Sequence, residues 1–232
     1  MPIKIVYRLK QVKFFRFLIC AIRMPFVFIH LRGHIAKSGA LSVDAKGNYV
    51  PWLTYPFIDF IENLDLSDCS VFEFGSGSST FWWSERVKNV VSVEMDSSWF
   101  DFIYSRRPSN VEIALCQNGG EYPHAINATV NNFDIIVVDG AERYKSATCA
   151  IQKLSEEGVI ILDNCDWYPN AATMLRSNGF VQLDFYGFSP NNSFPSITSL
   201  FYKNNTLLKK RKYEMNPVIG GNTIPGGVLD DC

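Results

Sequence analysis

Short, almost wholly apolar runs alternate along the chain with stretches in which apolar residues recur every three or four positions. The runs Ser70 to Phe74, Val87 to Val93, Val111 to Leu115, Phe133 to Val138 and Gly158 to Leu162 have the length and unbroken apolar character of strands covered on both faces. Between them, Ser79 to Glu85, Ser97 to Arg106, Tyr122 to Val130 and Arg143 to Leu154 read as helices, and Pro169 to Ser177 forms a further one that stops at Gly179. A leading helix over Tyr55 to Leu64 sets Phe57, Ile58, Ile61 and Leu64 at helical spacing ahead of the first strand. Val181 to Tyr186 and Ile197 to Tyr202, joined by a Pro/Asn/Ser-rich loop, suit an antiparallel pair. Repeated strand–helix units of this kind predict an α/β fold: a seven-stranded, mostly parallel sheet with helices on both faces and an antiparallel last strand pair.

The ends differ from this pattern. Lys4, Arg8, Lys10, Lys13, Arg16, Arg23, Arg32 and Lys37 all precede the first acidic residue, Asp44, and Phe14, Phe15, Phe17, Phe26 and Phe28 lie among them. Arg16, Arg23 and Pro25 interrupt the apolar residues, so no unbroken run reaches the roughly 20 needed to span a bilayer. The helical periodicity is mediocre, and two partners compete for this arm: an anionic membrane interface, or packing against the domain or a second copy of the chain. Residues 1–38 are therefore set apart as an arm, 39–203 as one domain, and 204–232, with the Lys209-Lys210-Arg211-Lys212 cluster, as a loose tail. A formal net charge of -1 over 232 residues argues against nucleic acid as the main partner. The six cysteines form no Cys-x-x-Cys pair, which points to buried reduced thiols in a reducing, cytoplasmic setting, where the membrane alternative for the arm is the inner face of the cytoplasmic membrane.

The candidate chemistry begins at Val71-Phe72-Glu73-Phe74-Gly75-Ser76-Gly77-Ser78-Ser79-Thr80, where a strand enters a helix through a glycine turn that lets backbone approach a ligand. Glu94 ends the next strand, where an acidic side chain in a dinucleotide-type fold receives ribose hydroxyls. Glu73, just before the first glycine, suits a ligand carrying positive charge better than one carrying pyrophosphate. From Val71 to about Tyr202 the sequence resembles the class I S-adenosylmethionine-dependent methyltransferases, whose Rossmann-like domain opens with an acidic residue followed by x-Gly-x-Gly-x-Gly; here Ser79 replaces the third glycine. The resemblance implies S-adenosylmethionine as cofactor, with Glu73, Gly75, Ser76 and Gly77 around its amino-acid moiety, Glu94 on the ribose, and Asn118 and Gly119 at the adenine.

Phe133 to Tyr144 and Val159 to Trp167 resemble the fourth and fifth strand motifs of the same family. In its metal-dependent O-methyltransferase branch the residues matching Asp139, Asp163 and Asn164 bind a divalent cation, and this oxygen set suits Mg²⁺ or a similar ion. Asp139 could instead touch the cofactor or take a proton, and His124 is a second candidate general base. The implied activity is O-methylation of a small-molecule or sugar hydroxyl, such as a surface-glycan precursor. A nicotinamide-dependent oxidoreductase and a non-catalytic membrane-associated binding protein of the same fold are the alternatives, separated by which cofactor the protein binds.

Overall fold

A computed structural model describes residues 13–214 and 216–221. The part of the arm before Lys13 and the tail beyond Gly221 lie outside the described residues. A seven-stranded sheet forms the centre, built from β3 (Ser70–Phe74), β4 (Asn89–Glu94), β5 (Val111–Leu115), β6 (Phe133–Val138), β7 (Leu154–Leu162), β8 (Val181–Phe188) and β9 (Pro195–Tyr202). Its order is β5-β4-β3-β6-β7-β9-β8, with β3 through β7 parallel and β9 antiparallel to both of its neighbours. The expected architecture is the one observed.

Alternation along the central strands sorts their side chains into two layers. Val71, Ile135, Val137, Val159 and Ile161 face one core with Phe57, Ile61, Trp82 and Trp83. Phe72, Phe74, Ile136, Val138, Ile160 and Leu162 face the other with Tyr122, Ala147, Ala150 and Leu175. The period of two explains why both faces are apolar and why such strands read as unbroken runs. Helices α2 (Tyr55–Ile61) and α3 (Ser78–Ser84) contribute to the first layer, with α4 (Ser97–Tyr104) packed nearby; α5 (Arg143–Lys153) and α6 (Pro169–Ser177) cover the second.

Several boundaries differ from the pattern-based expectation. Tyr122–Ala128 is a 3₁₀ helix, not an α-helix: Pro123 stands in its first turn, and the segment is a single short run. Strand β7 starts at Leu154, four residues earlier than the apolar run, because Leu154 pairs with Phe133 across a register shift while Ser155, Glu156 and Glu157 carry no strand-like periodicity. A small antiparallel hairpin, β1 (Lys37–Ser38) with β2 (Leu41–Ser42), turns at Gly39, which has a φ of 63°. The arm itself is helical: α1 (Lys13–Pro25) continues through one π-helical turn, Phe26–Leu31, and the last short helix is α7 (Thr206–Lys209). Lys13–Leu31 is long and apolar enough to cross a membrane by length and composition, although the sequence contains no unbroken apolar run of that length.

Candidate functional site

In a parallel sheet whose connections leave in opposite directions from two adjacent strands, a crevice opens at their C-terminal ends. Here β3 and β6 are that pair, and a cavity of about 490 Å³ lies there. Gly75, Ser76, Gly77, Ser78 and Ser79 from the turn after β3, Asp139 after β6, and Asp163 and Asn164 after β7 all line it. Trp99 forms another part of its wall, and its indole N–H donates to the Ser76 carbonyl at 2.7 Å, fixing both ring and loop.

The turn requires glycine at two places. Gly75 adopts a φ of +92°, and a Cβ there would lie 3.0 Å from the Gly140 Cα. A Cβ on Gly140 would fall 2.8 Å from the Gly75 nitrogen and 2.9 Å from the Phe74 carbonyl carbon. The ends of β3 and β6 thus touch backbone to backbone, which neither position permits with a side chain.

Glu73 is fully buried beneath this loop and does not line the cavity. Its Oε2 accepts hydrogen bonds from Thr80 Oγ1 at 2.5 Å and Ser92 Oγ at 3.0 Å, and Thr80 Oγ1 in turn accepts from the Gly77 N–H at 2.9 Å. Oε1 has no hydrogen-bond partner among the described residues. Burial raises the carboxyl from 4.5 to about 7, against the opposing pull of the nearby hydroxyls. The position expected for direct contact with a ligand is therefore a support: it holds the loop from below and places a titratable carboxyl under it.

Glu94 is likewise engaged by protein. Its Oε2 accepts from the Ser76 N–H at 3.0 Å and the Ser76 hydroxyl at 2.9 Å, and Oε1 accepts from the N–H groups of Met95 and Asp96 at 2.7 and 3.0 Å. A ribose hydroxyl would have to take the place of Ser76 on Oε2. Asn118 and Gly119 sit past the end of β5 and outside the cavity wall; the Asn118 side chain accepts from the Gly120 N–H at 2.9 Å.

Asp139, Asp163 and Asn164 do come together, but around Arg143. The guanidinium donates through Nη2 to Asp139 Oδ1 and to the Asp139 carbonyl, both at 2.9 Å. Through Nη1 it donates to the Asp163 carbonyl at 2.5 Å and Asn164 Oδ1 at 3.0 Å, and through Nε to the Gly140 carbonyl at 3.1 Å. Asp163 Oδ1 accepts from Thr198 Oγ1 at 2.6 Å. The amide oxygen and the carboxylate expected on a cation are thus already held by a cation that belongs to the chain. These residues do not fit a divalent-metal site, and among the described residues no group of three His, Cys, Asp or Glu side chains is placed to hold a metal ion.

Burial pushes Asp139 up to about 6, with Arg143 pulling it down and Glu73 adding to the rise. Asp163 lies well above the ordinary carboxylate range, first because it is buried and second because Asp139 stands beside it. Two carboxyl groups so close favour a shared proton, with Asp139 the readier to ionise. His124 is elsewhere: it is exposed on the 3₁₀ segment, where Nδ1 meets the Cys149 sulfur at 3.5 Å, and it does not reach the cavity. Its expected role as a base at this site is not supported by that placement.

Sequence inspection gave no role to Arg143, Trp52, Asn192 or Phe194, all of which line the cavity. Arg143 is four residues after Asp139, but the helix begins only at Arg143, so the pair closes across the turn after β6 and follows no helical spacing. Trp167 and Phe194 stack at 6.1 Å across the mouth, a contact between distant segments that no local pattern reveals.

No protein-family model matches the chain, and no curated protein matches it by sequence. Solved structures do resemble it. A precorrin-6y C5,15-methyltransferase from Geobacter metallireducens GS-15 matches with a TM-score of 0.54 at 15% identity, covering 75% of this chain and 96% of that one. A spermidine synthase in complex with the transition-state analogue AdoDATO gives 0.52 at 16% identity, covering 77% and 68%. A methyltransferase from Pyrococcus furiosus gives 0.50 at 16% identity, covering 78% and 96%. The likeness is one of fold: a Rossmann-like domain of the kind found in class I methyltransferases.

Proposed function

We propose that this chain transfers a methyl group from S-adenosylmethionine to a hydroxyl oxygen of a small molecule or sugar. The observation that carries this reading is the pair of carboxyl groups at the glycine turn, Glu73 beneath it and Asp139 in the cavity, while the guanidinium that lines the cavity, Arg143, is already held by Asp139 and Asn164. Glu73 lies beneath the loop, out of the cavity wall, with Oε1 unpaired among the described residues, and Asp139 lines the cavity itself. A carboxyl beneath the turn and another in the cavity suit a ligand bearing an ammonium and a sulfonium better than one bearing a diphosphate. Gly77 adds a cradle: a Cβ there would meet only the Trp99 ring, at 3.9 Å, so the loop leaves open space for a ligand.

When bound, the cofactor supplies an electrophilic methyl carbon on sulfur. The chain's own contribution is to align and to remove a proton. The Gly75–Ser79 turn and Trp99 set the donor's position, and the cavity beyond Asp139, rimmed by Trp52, Trp167 and Phe194, receives the acceptor. With the cofactor bound, Asp139 would accept the proton of the acceptor hydroxyl as the methyl group passed from sulfur to oxygen. Arg143 keeps that carboxylate aimed and charged. The free thiols Cys69, Cys149 and Cys165, all buried, accord with a reducing cytoplasmic setting.

The test is mass spectrometry of a panel of hydroxylated sugars and small phenols incubated with the protein and S-adenosylmethionine, repeated with Asp139→Asn. A product heavier by one methylene, with turnover roughly 10²-fold lower in Asp139→Asn and cofactor affinity changed only a few-fold, is the expected outcome. Equal turnover in the variant would remove Asp139 as the proton acceptor.

A further inference from the structure

The helix Lys13–Leu31 stands apart from every other element in how it meets solvent. It is long and apolar, yet none of its hydropathic window is buried in the protein. Phe14, Phe17 and Ile22 are 64, 69 and 67% exposed, values that a water-soluble surface does not sustain over several consecutive turns.

Its charged residues are not scattered. Helical rotation of about 100° per residue puts Lys13, Arg16, Cys20 and Arg23 at roughly 0°, 300°, 340° and 280°, one stripe about 80° wide. Phe14, Phe15, Phe17, Leu18, Ile22 and Met24 occupy the rest of the circumference. The arm therefore has the amphipathic order that its interrupted sequence conceals: the order emerges once the helix begins at Lys13.

The base of the helix is fixed to the domain. Phe28 packs edge-on against Tyr55 and Phe188, Arg32 pairs with Asp59 at 2.5 Å, and His34 Nδ1 lies 3.1 Å from the Tyr55 hydroxyl. The same base leads into the cavity wall: the Ser42 N–H donates to Ser78 Oγ at 2.8 Å, and the Asn191 N–H donates to the His34 carbonyl at 2.7 Å. The helix is thus anchored at its base, met near its middle where Arg23 donates to the Gly220 carbonyl at 3.0 Å, and apolar and exposed at Phe14, Phe17 and Ile22.

We propose that Lys13–Leu31 lies in the plane of an anionic lipid surface, with Lys13 and Arg16 among the headgroups and the phenylalanines below them. The basic stripe complements lipid phosphates, and the apolar remainder matches the acyl boundary. A spanning arrangement is disfavoured near the middle of the helix, where Arg23 holds the Gly220 carbonyl at 3.0 Å and would carry that non-helical segment and its own charge into the hydrocarbon. At about 1.5 Å per residue Arg23 would sit more than roughly 10 Å from either end, beyond easy reach of the headgroups.

The test is flotation of the full-length protein with phosphatidylcholine vesicles, with and without phosphatidylglycerol, followed by alkaline carbonate extraction. Wild type is expected to float only with the anionic vesicles, to lose most binding at high salt and to be released by carbonate. Phe14→Ser/Phe17→Ser/Ile22→Ser is expected to float at least tenfold less, with an unchanged melting temperature because these side chains are exposed. Lys13→Glu/Arg16→Glu is expected to abolish the preference for phosphatidylglycerol. Undiminished flotation of the triple variant would overturn the proposal, as would resistance to carbonate, which indicates spanning. Failure of wild type to float, together with a dimer in sedimentation that the triple variant dissociates, would assign the surface to a second copy. None of these readouts depends on methyl transfer, so the two proposals fail separately.

Discussion

At Glu73 a carboxyl group is buried among hydroxyls with no cation in contact, and its proton affinity has a direct consequence for stability. A carboxyl raised from 4.5 to about 7 binds its proton more tightly in the folded state. The stability it contributes is complete below its unfolded value and is lost as pH rises through about 7. Chemical denaturation at about pH 5 and about pH 8 should therefore show wild type losing stability across that interval, and Glu73→Gln should flatten the loss. A steeper loss in Glu73→Gln would contradict the assignment. Gly140 makes a second residue-scale prediction. Gly140→Ala drives a Cβ into the backbone of Phe74 and Gly75, so it should cost about 1–3 kcal/mol of stability, measured by denaturation, and lower cofactor affinity by displacing the turn.

At the scale of elements, α5 acts through Arg143, which ties the ends of β6 and β7 together by their carbonyls and side chains. Arg143→Ala leaves Asp139 and two strand-end carbonyls without their donor and should cost about 1–3 kcal/mol. Arg143→Lys should recover little of it, because an ammonium cannot make the fork of parallel bonds. With the guanidinium in place, chelators should leave turnover unchanged; loss of turnover in chelator, restored by Mg²⁺, would reinstate a metal. This position also marks the limit of what the sequence disclosed. Val71 to Phe74 and Phe133 to Val138 declared themselves as strands because burial on both faces demands apolar residues at every position. The glycine turn, Asp139, Asp163 and Asn164 were legible for a related reason: strand ends in an α/β sheet converge on one edge. What occupies the space between those ligands was not legible, since an Asp-Asp-Asn set serves a metal or a guanidinium equally well. Glu73 and Glu94 were visible as carboxylates, but their hydrogen bonds to Thr80, Ser92 and Ser76 depend on a loop path that no spacing records. Ser155 to Glu157 hid the start of β7 because a polar extension paired at one edge has no apolar period.

For the molecule as a whole, the two core layers hold a sheet whose crossover edge forms the cavity, and the segment that follows the arm supplies part of that cavity's wall through Ala40 and Ser42. Everything proposed about reaction and acceptor rests on which cofactor enters there. The most direct measurement is isothermal titration calorimetry of the full-length protein with S-adenosylmethionine, S-adenosylhomocysteine and NAD, repeated with Gly77→Val. This variant is preferable to Gly75→Val, because a side chain at Gly77 enters open space while one at Gly75 strains the fold. The predicted result is saturable binding of S-adenosylmethionine and S-adenosylhomocysteine, no binding of NAD, and affinity for the first two lowered at least tenfold in Gly77→Val at an unchanged melting temperature. Saturable binding of NAD, or S-adenosylmethionine binding that Gly77→Val leaves intact, would contradict it.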